Sequence, residues 1–236
     1  MLVRNPADLE KKDRPKVERK PVAFYDTDEA ITALEALRPT RMYIPTLLGM
    51  VCGLRRGEIC ALRWRNMDLD GAQLSVVLST EQTKAGCREK ELKNSQCRTV
   101  ALSAYAIQEL RAHKARQAEE LLRVGVRQTK DQHVVARGDG EPLQPRSVSH
   151  AWRRLRVTRL VDLKLLTLHG TRHSHASHLL AKNVHPKVVQ ERLGHSSVAV
   201  MDIYRHVMPN MQREAAERVD EALTEALQKR ATGNNS

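Results

Sequence analysis

The chain has 236 residues, with 40 Lys and Arg against 28 Asp and Glu, a formal balance of +12. At 41% hydrophobic content it can bury a real core, as one large domain or two small ones, and a surface this positive attracts polyanions before any specific contact forms. It contains no apolar run of about 18 residues to span a bilayer, its N-terminus lacks the apolar centre of a signal peptide, and one Phe, two Trp and four Tyr are too few to stack unpaired bases. A soluble, intracellular protein that grips double-stranded nucleic acid through its phosphates is therefore expected. The cysteines at 52, 60, 87 and 97 show no C-x-x-C pairing, which argues against a zinc ribbon or a disulfide framework and for reduced, structural thiols.

Residues 1–22, with K-K-D-R-P-K-V-E-R-K-P at 11–21, carry no apolar period and are expected to be a basic linker. Asp26 and Glu29 can form a capping box, and Ile31, Leu34 and Leu37 follow at helical spacing, which predicts a helix over 27–37. The apolar stretch from Ile44 to Cys52 stops at Gly53, and helical character resumes from Gly57 to Leu62. Leu74, Val76 and Leu78 fall at period two and Arg98 to Leu102 alternates again, so a small antiparallel sheet with a polar, Lys-rich connection is predicted. A long exposed helix is expected over 104–122, a turn at Gly138, Gly140 and Pro142, and a helix from Ser147 through Trp152 and Leu155. His169 to Ala181 and Pro186 to Leu193 read as two helices, the second stopped by Gly194 as a left-handed cap, and Ser196 or Ser197 can cap a further helix carrying Tyr204. Val219, Ala222, Leu223, Ala226 and Leu227 form one apolar stripe on a terminal helix. The expected fold class is mainly α with a small antiparallel β-sheet (α+β).

Four separated segments carry the chemistry. In C-G-L-R-R-G-E-I-C-A-L-R-W at 52–64, Arg55 follows a glycine turn and Glu58 lies three residues on; a guanidinium here can fork onto an anion or be an ordinary solvated side chain. L-K-N-S-Q-C-R-T-V-A-L at 92–102 sets Lys93 on a turn into a strand, where it can serve a site or merely discourage edge pairing. L-H-G-T-R-H-S-H-A-S-H-L-L at 168–180 puts His169 and Arg172 on one helical face. His173, His175 and His178 raise a metal reading, but spacing supplies no carboxylate, thiolate or third convergent imidazole, so no metal is expected. The fourth segment, V-V-Q-E-R-L-G-H-S-S-V-A-V-M-D-I-Y-R-H at 188–206, has His195 after a glycine and Tyr204 nine residues later.

In that order these segments resemble the tyrosine recombinase (phage integrase) family, which reads G-L-R, a β-hairpin lysine, H-x-x-R, then L-G-H and a tyrosine about nine residues on. The resemblance runs from about Lys20 to Arg213. It implies a catalytic domain over 23–213, preceded by the linker at 1–22 and followed at 214–236 by a C-terminal helix and tail that packs on its own domain or is exchanged between protomers. It further implies that Arg55 and Arg172 clamp a scissile phosphate, that His169 and His195 are its imidazole ligands, that Lys93 is the general acid, with Lys84 and Lys90 on the same connection as alternatives, and that Tyr204 is the nucleophile. Glu58 would buttress the arginines. The activity implied is site-specific recombination of double-stranded DNA by a homo-tetramer on paired sites, through a 3′-phosphotyrosyl link, with no cofactor, metal or ATP. Members usually carry a helical core-binding domain ahead of the catalytic one; this chain starts at the linker, which implies weaker affinity and site choice. Gly170, Thr171 and Met201 depart from the common Asp, Leu and Thr or Ser of the family, and none of these removes a catalytic group. A catalytically silent DNA-binding remnant of a prophage integrase and a type IB topoisomerase are the rival readings.

Overall fold

A computed structural model describes residues 23–83, 85–93, 96–194 and 217–228. The capping box forms as expected: Asp26 Oδ1 accepts from the Glu29 amide and Glu29 Oε2 from the Asp26 amide, both at 2.9 Å, and starts α1 (Thr27–Leu37). This helix buries Ala30, Ala33, Leu34 and Leu37, whereas Ile31 lies on its exposed side. α2 (Tyr43–Val51) is apolar all round and accordingly central, buried on nearly every face against α1, α3 (Arg56–Ala61), α4 (Ala104–Arg123) and α6 (Leu168–Ala181). α5 (Pro145–Thr158) begins two residues earlier than the sequence pattern predicts, because Pro145 takes the first helical position, where its missing N–H costs nothing. α7 (Pro186–Leu193) packs on α6 through Ala176, Leu180, Val189 and Leu193, and Gly194 ends it at φ 59°.

The predicted sheet divides in two. β1 (Met67–Asp68), β2 (Gln73–Val76) and β5 (Arg98–Ala101) form an antiparallel sheet in the order β1-β2-β5, with Leu74, Val76 and Val100 in the core. The stretch expected to be a polar connection is a β-ribbon of its own, β3 (Leu78–Thr83) paired with β4 (Gly86–Glu91), so Leu78 belongs to a different sheet from Leu74 and Val76. Period-two apolar patterning fails in this ribbon because both of its faces are largely polar. Residues 217–228 are helical, and Val219, Leu223 and Leu227 of the predicted stripe are each about three-fifths exposed. The predicted helix carrying Tyr204 lies outside the described residues. Among the described residues no helix is long and apolar enough to cross a membrane.

The helices around the future site are fastened by a buried polar joint. His175 Nδ1 donates to the Met50 carbonyl at 3.0 Å and its Nε2 accepts from Arg192 Nε at 3.0 Å, tying α6 to α2 and α7 and fixing a neutral tautomer. Gly53 ends α2 with φ 68°, and a Cβ there would lie 2.6 Å from the His175 ring and 2.7 Å from Leu193, so both the turn and the close approach require glycine. Burial, then the Arg192 cation, pushes the His175 pKa down to about 3. In the unfolded chain the ring titrates near 6.5, so between about pH 6.5 and 3 the unfolded state binds the extra proton. The joint's contribution is thus fully present above pH 6.5 and is lost as pH falls, by on the order of a few kcal/mol. We expect the His175 ring resonances to stay in the neutral form at pH 5 by NMR, and urea unfolding free energies to fall across that window.

Candidate active site

One carboxylate organises the site. Glu58 occupies the third position of α3, where its Oε2 accepts from the Arg55 backbone N–H at 2.8 Å and so caps the helix. Its side chain is 1% exposed and meets three guanidiniums. Arg55 Nη1 donates to Oε1 at 2.8 Å, Arg98 donates to both oxygens at 3.0 and 2.7 Å, and an Arg172 nitrogen lies 3.8 Å away. Burial alone would raise the Glu58 pKa; the Arg98 hydrogen bonds and charge, then the capping amide, outweigh it and hold the carboxyl below its usual range.

The other ends of these guanidiniums rest on backbone carbonyls. Arg55 Nη2 donates to the Gly194 carbonyl at 2.5 Å, and Arg172, 1% exposed, donates to the carbonyls of Gly53 and Leu193. Arg98 Nε donates to the Arg192 carbonyl at 2.8 Å. Arg172 Nε is buried with no hydrogen-bond partner among the described residues. Burial, followed by the neighbouring Arg55, lowers the Arg172 pKa, with Glu58 opposing; the group stays cationic at neutral pH. Three buried or half-buried cations therefore share one anion, and among the described residues no other carboxylate is ion-paired with any of them.

Beside this cluster lies a cleft of about 800 Å³. Arg55, Arg56, Arg153, Arg156 and His169 line it, with β3 from Ser79 to Thr83 as the opposite wall. Among the described residues its one acid, Glu81, is already paired with Arg88 at 3.1 Å and Lys90 at 3.2 Å. His169 opens α6 one residue after Leu168, where Thr167 caps the helix, and its ring stands edge-on to His173 with centroids 4.7 Å apart. It keeps an exposed edge, yet desolvation by the cleft walls, then the His173 ring and the cations Arg172 and Arg55, brings its pKa to about 4, so the imidazole is neutral at pH 7.

Of the predicted residues, Arg55 and Arg172 meet around Glu58, and His169 and Arg55 face the same cleft. Lys93 is exposed on the turn between β4 and β5, outside that cleft. Its rival Lys90 is engaged with Glu81, and Lys84 lies outside the described residues. His195 and Tyr204 also lie outside them; the residue before His195 is Gly194, whose carbonyl sits on Arg55. Sequence reasoning does not single out Arg98, although R-T-V beginning five positions after Lys93 is an available signal. Among the described residues, no three His, Cys, Asp or Glu side chains are grouped to hold a metal ion.

Removing the hub charge should be costly, since breaking a buried ion pair strands its partners. Glu58→Gln is expected to lose on the order of 3 kcal/mol in urea unfolding, and added sulfate should stabilise that variant more than the parent, because it has a further unpaired cation to meet.

The sequence model of the phage integrase family matches residues 24–211. Tyrosine recombinase XerC of Xanthomonas axonopodis pv. citri (strain 306) is 33% identical over 197 residues, covering 82% of this chain and 57% of that protein. The ICEBs1 integrase of Bacillus subtilis (strain 168) is 27% identical over 238 residues, covering 94% of this chain and 60% of its own length. The chain thus spans less than two thirds of these relatives. Among solved structures, the Tn1549 transposon integrase in complex with transposon right-end DNA superposes with a TM-score of 0.77 at 18% identity, over 93% of this chain and 73% of that one, a likeness of fold.

Proposed function

This chain belongs to the phage integrase family of tyrosine recombinases, and from that premise we propose that it is a site-specific DNA recombinase whose described residues form the phosphate-binding half of the active site. The observation that carries the proposal is the surplus of charge: three guanidiniums on the single carboxylate Glu58, beside a cleft lined by four arginines. Such a surplus favours an anion, and a DNA phosphodiester is one that planar guanidinium forks can grip.

The chemistry follows from that charge. In-line attack on phosphorus puts added negative charge on the non-bridging oxygens, and fixed cations stabilise it without having to reorganise. Tyr204, a phenol with an ordinary pKa of about 10, gives up its proton on attack, and the neutral imidazole of His169, or that of His195, can receive it or donate an N–H to the phosphate. The P–O5′ bond breaks as O5′ takes a proton from the Lys93 ammonium. The products are a 3′-phosphotyrosyl link and a free 5′ hydroxyl. A 5′ hydroxyl from another strand reverses the steps and joins to a new partner, and because the link retains the bond energy no ATP is consumed. Arg146 and Arg154 on the outer face of α5 extend the positive surface beyond the cleft and support duplex contact. The exposed stripe of Val219, Leu223 and Leu227 supports exchange of the terminal helix between protomers of a tetramer on paired sites.

The test is a library of nicked suicide duplexes with a randomised core, incubated with the 236-residue chain and resolved under denaturing conditions. We expect covalently bound DNA that Tyr204→Phe abolishes and Arg172→Ala reduces by at least about 10²-fold. Binding without any adduct would mark a silent DNA-binding protein, and relaxation of supercoils without exchange between two recovered sites would mark a topoisomerase.

A further inference from the structure

Among the described residues the β3–β4 ribbon has no third strand, and none of its residues is fully buried. β4 is exposed along five of its six residues, and a two-stranded ribbon alone is marginally stable. Its position is nevertheless consequential, because β3 walls the cleft and β4 leads directly to Lys93: the Leu92 amide donates to the Val77 carbonyl at 2.9 Å, and the Lys93 carbonyl then accepts from the amides of Gln96 at 2.7 Å and Cys97 at 3.2 Å. Two fastenings hold the ribbon. On one side α3 approaches so closely that a Cβ on Gly57 would lie 2.4 Å from Ser79 Oγ and 2.8 Å from the Thr80 carbonyl. On the other, Glu89 of β4 receives both of its bonds at 2.9 Å from Arg63 and another at 2.7 Å from His133 Nε2.

Those two partners belong to the rigid body. Arg63 and His133 face each other in an antiparallel bridge, Arg63 also donates to the Asp131 carbonyl at 3.0 Å, and the His133 carbonyl accepts from the buried Gln117 of α4 at 3.0 Å. Glu89 is thus the point at which the ribbon is pinned to the domain, four positions before Lys93 in sequence. A partly exposed ion pair of this kind adds little to global stability, but it fixes an orientation that the ribbon's own packing cannot.

We propose that Glu89, gripped by Arg63 and His133, is a positioning residue for leaving-group protonation: it fixes the orientation of the β3–β4 ribbon, and with it the place from which Lys93, exposed just past the end of β4, reaches a bound phosphodiester. This rests on the reading of Lys93 as the general acid. Lys93 donates its proton to O5′ as the P–O5′ bond breaks, and a group displaced by about 1 Å can lose about 10²-fold in rate. A bridging sulfur in place of O5′ leaves as a thiolate and needs no such proton, so it separates this role from any general damage.

Two measurements decide it. By hydrogen exchange, Glu89→Ala should speed the Leu92 amide and the β3–β4 ladder amides while leaving α2 and α6 unchanged; a ribbon exchanging at the parent rate overturns the proposal. The duplex recovered from the suicide library is then made with oxygen or sulfur at the bridging 5′ position. Glu89→Ala should cleave the oxygen duplex at least about 10-fold more slowly than the parent and the sulfur duplex at nearly the parental rate. Equal slowing on both overturns it. Lys93→Ala is the control: if sulfur does not rescue that variant, the general-acid reading has failed and with it the catalytic role of Glu89, whereas rescue of Lys93→Ala alone refutes only the latch. Arg63→Gln should repeat the Glu89→Ala pattern and replaces it if circular dichroism shows the first variant unfolded.

Discussion

A buried carboxylate with several cations around it cannot be assembled piecemeal: each charge taken from water costs several kcal/mol unless its partners arrive with it. Glu58 imposes that condition on this domain. Arg55 comes from the turn after α2, Arg98 from the start of β5 and Arg172 from α6, and the same side chain caps α3 through the Arg55 amide. Three segments distant in sequence are therefore brought to one point by electrostatics as well as by apolar packing, and the joint of His175, Met50 and Arg192 keeps the helices behind them in register.

The two sheets divide the work between them. β1, β2 and β5 are anchored in the core through Leu74, Val76 and Val100, and the arginine held at the start of β5 inherits their rigidity. The β3–β4 ribbon has charged faces and is attached by a glycine contact and an ion-pair cluster. The cations around Glu58 are thus mounted on elements packed into the core, and Lys93 follows a ribbon whose second strand is exposed along most of its length. Under the proposed function that division is apt, because binding a phosphate needs fixed charge while delivering a proton needs movement.

Much of the fold was legible in the chain because its helices announce themselves: Asp26 with Glu29, Gly53 after α2 and Gly194 after α7 all sit where capping chemistry demands. The ribbon reads as a connection in the sequence because alternation reveals a strand only when one of its faces is buried, and Leu78 falls in with Leu74 and Val76 by pattern although it lies in the other sheet. Ile31 matched the helical period yet faces solvent, since three residues at period three or four define a stripe without saying which edge of it is covered. In the site, motif order brought out Arg55, His169 and Arg172, and the structure gathers them at one cluster and cleft. Arg98 escaped notice because its role is a contact across 40 positions of sequence, which no local pattern encodes. The terminal stripe was read correctly as apolar, and its partner was not legible at all.

The carbonyls that receive Arg55 and Arg172 have a consequence of their own. An oxygen dipole aims a guanidinium without cancelling its charge, so Gly53, Leu193 and Gly194 keep the forks pointed while leaving their full positive potential in place. The organising work is done once, during folding, by main-chain atoms that no side-chain substitution can remove. Lysine at either position would lose this support, because a single ammonium cannot span a carboxylate or carbonyl on one side and face outward on the other. Substitution at those three residues therefore acts through the path of the backbone: Gly53 and Gly194 hold positive φ with no room for a Cβ, and Leu193 is fully buried, so a side chain that displaces any of them re-aims the forks.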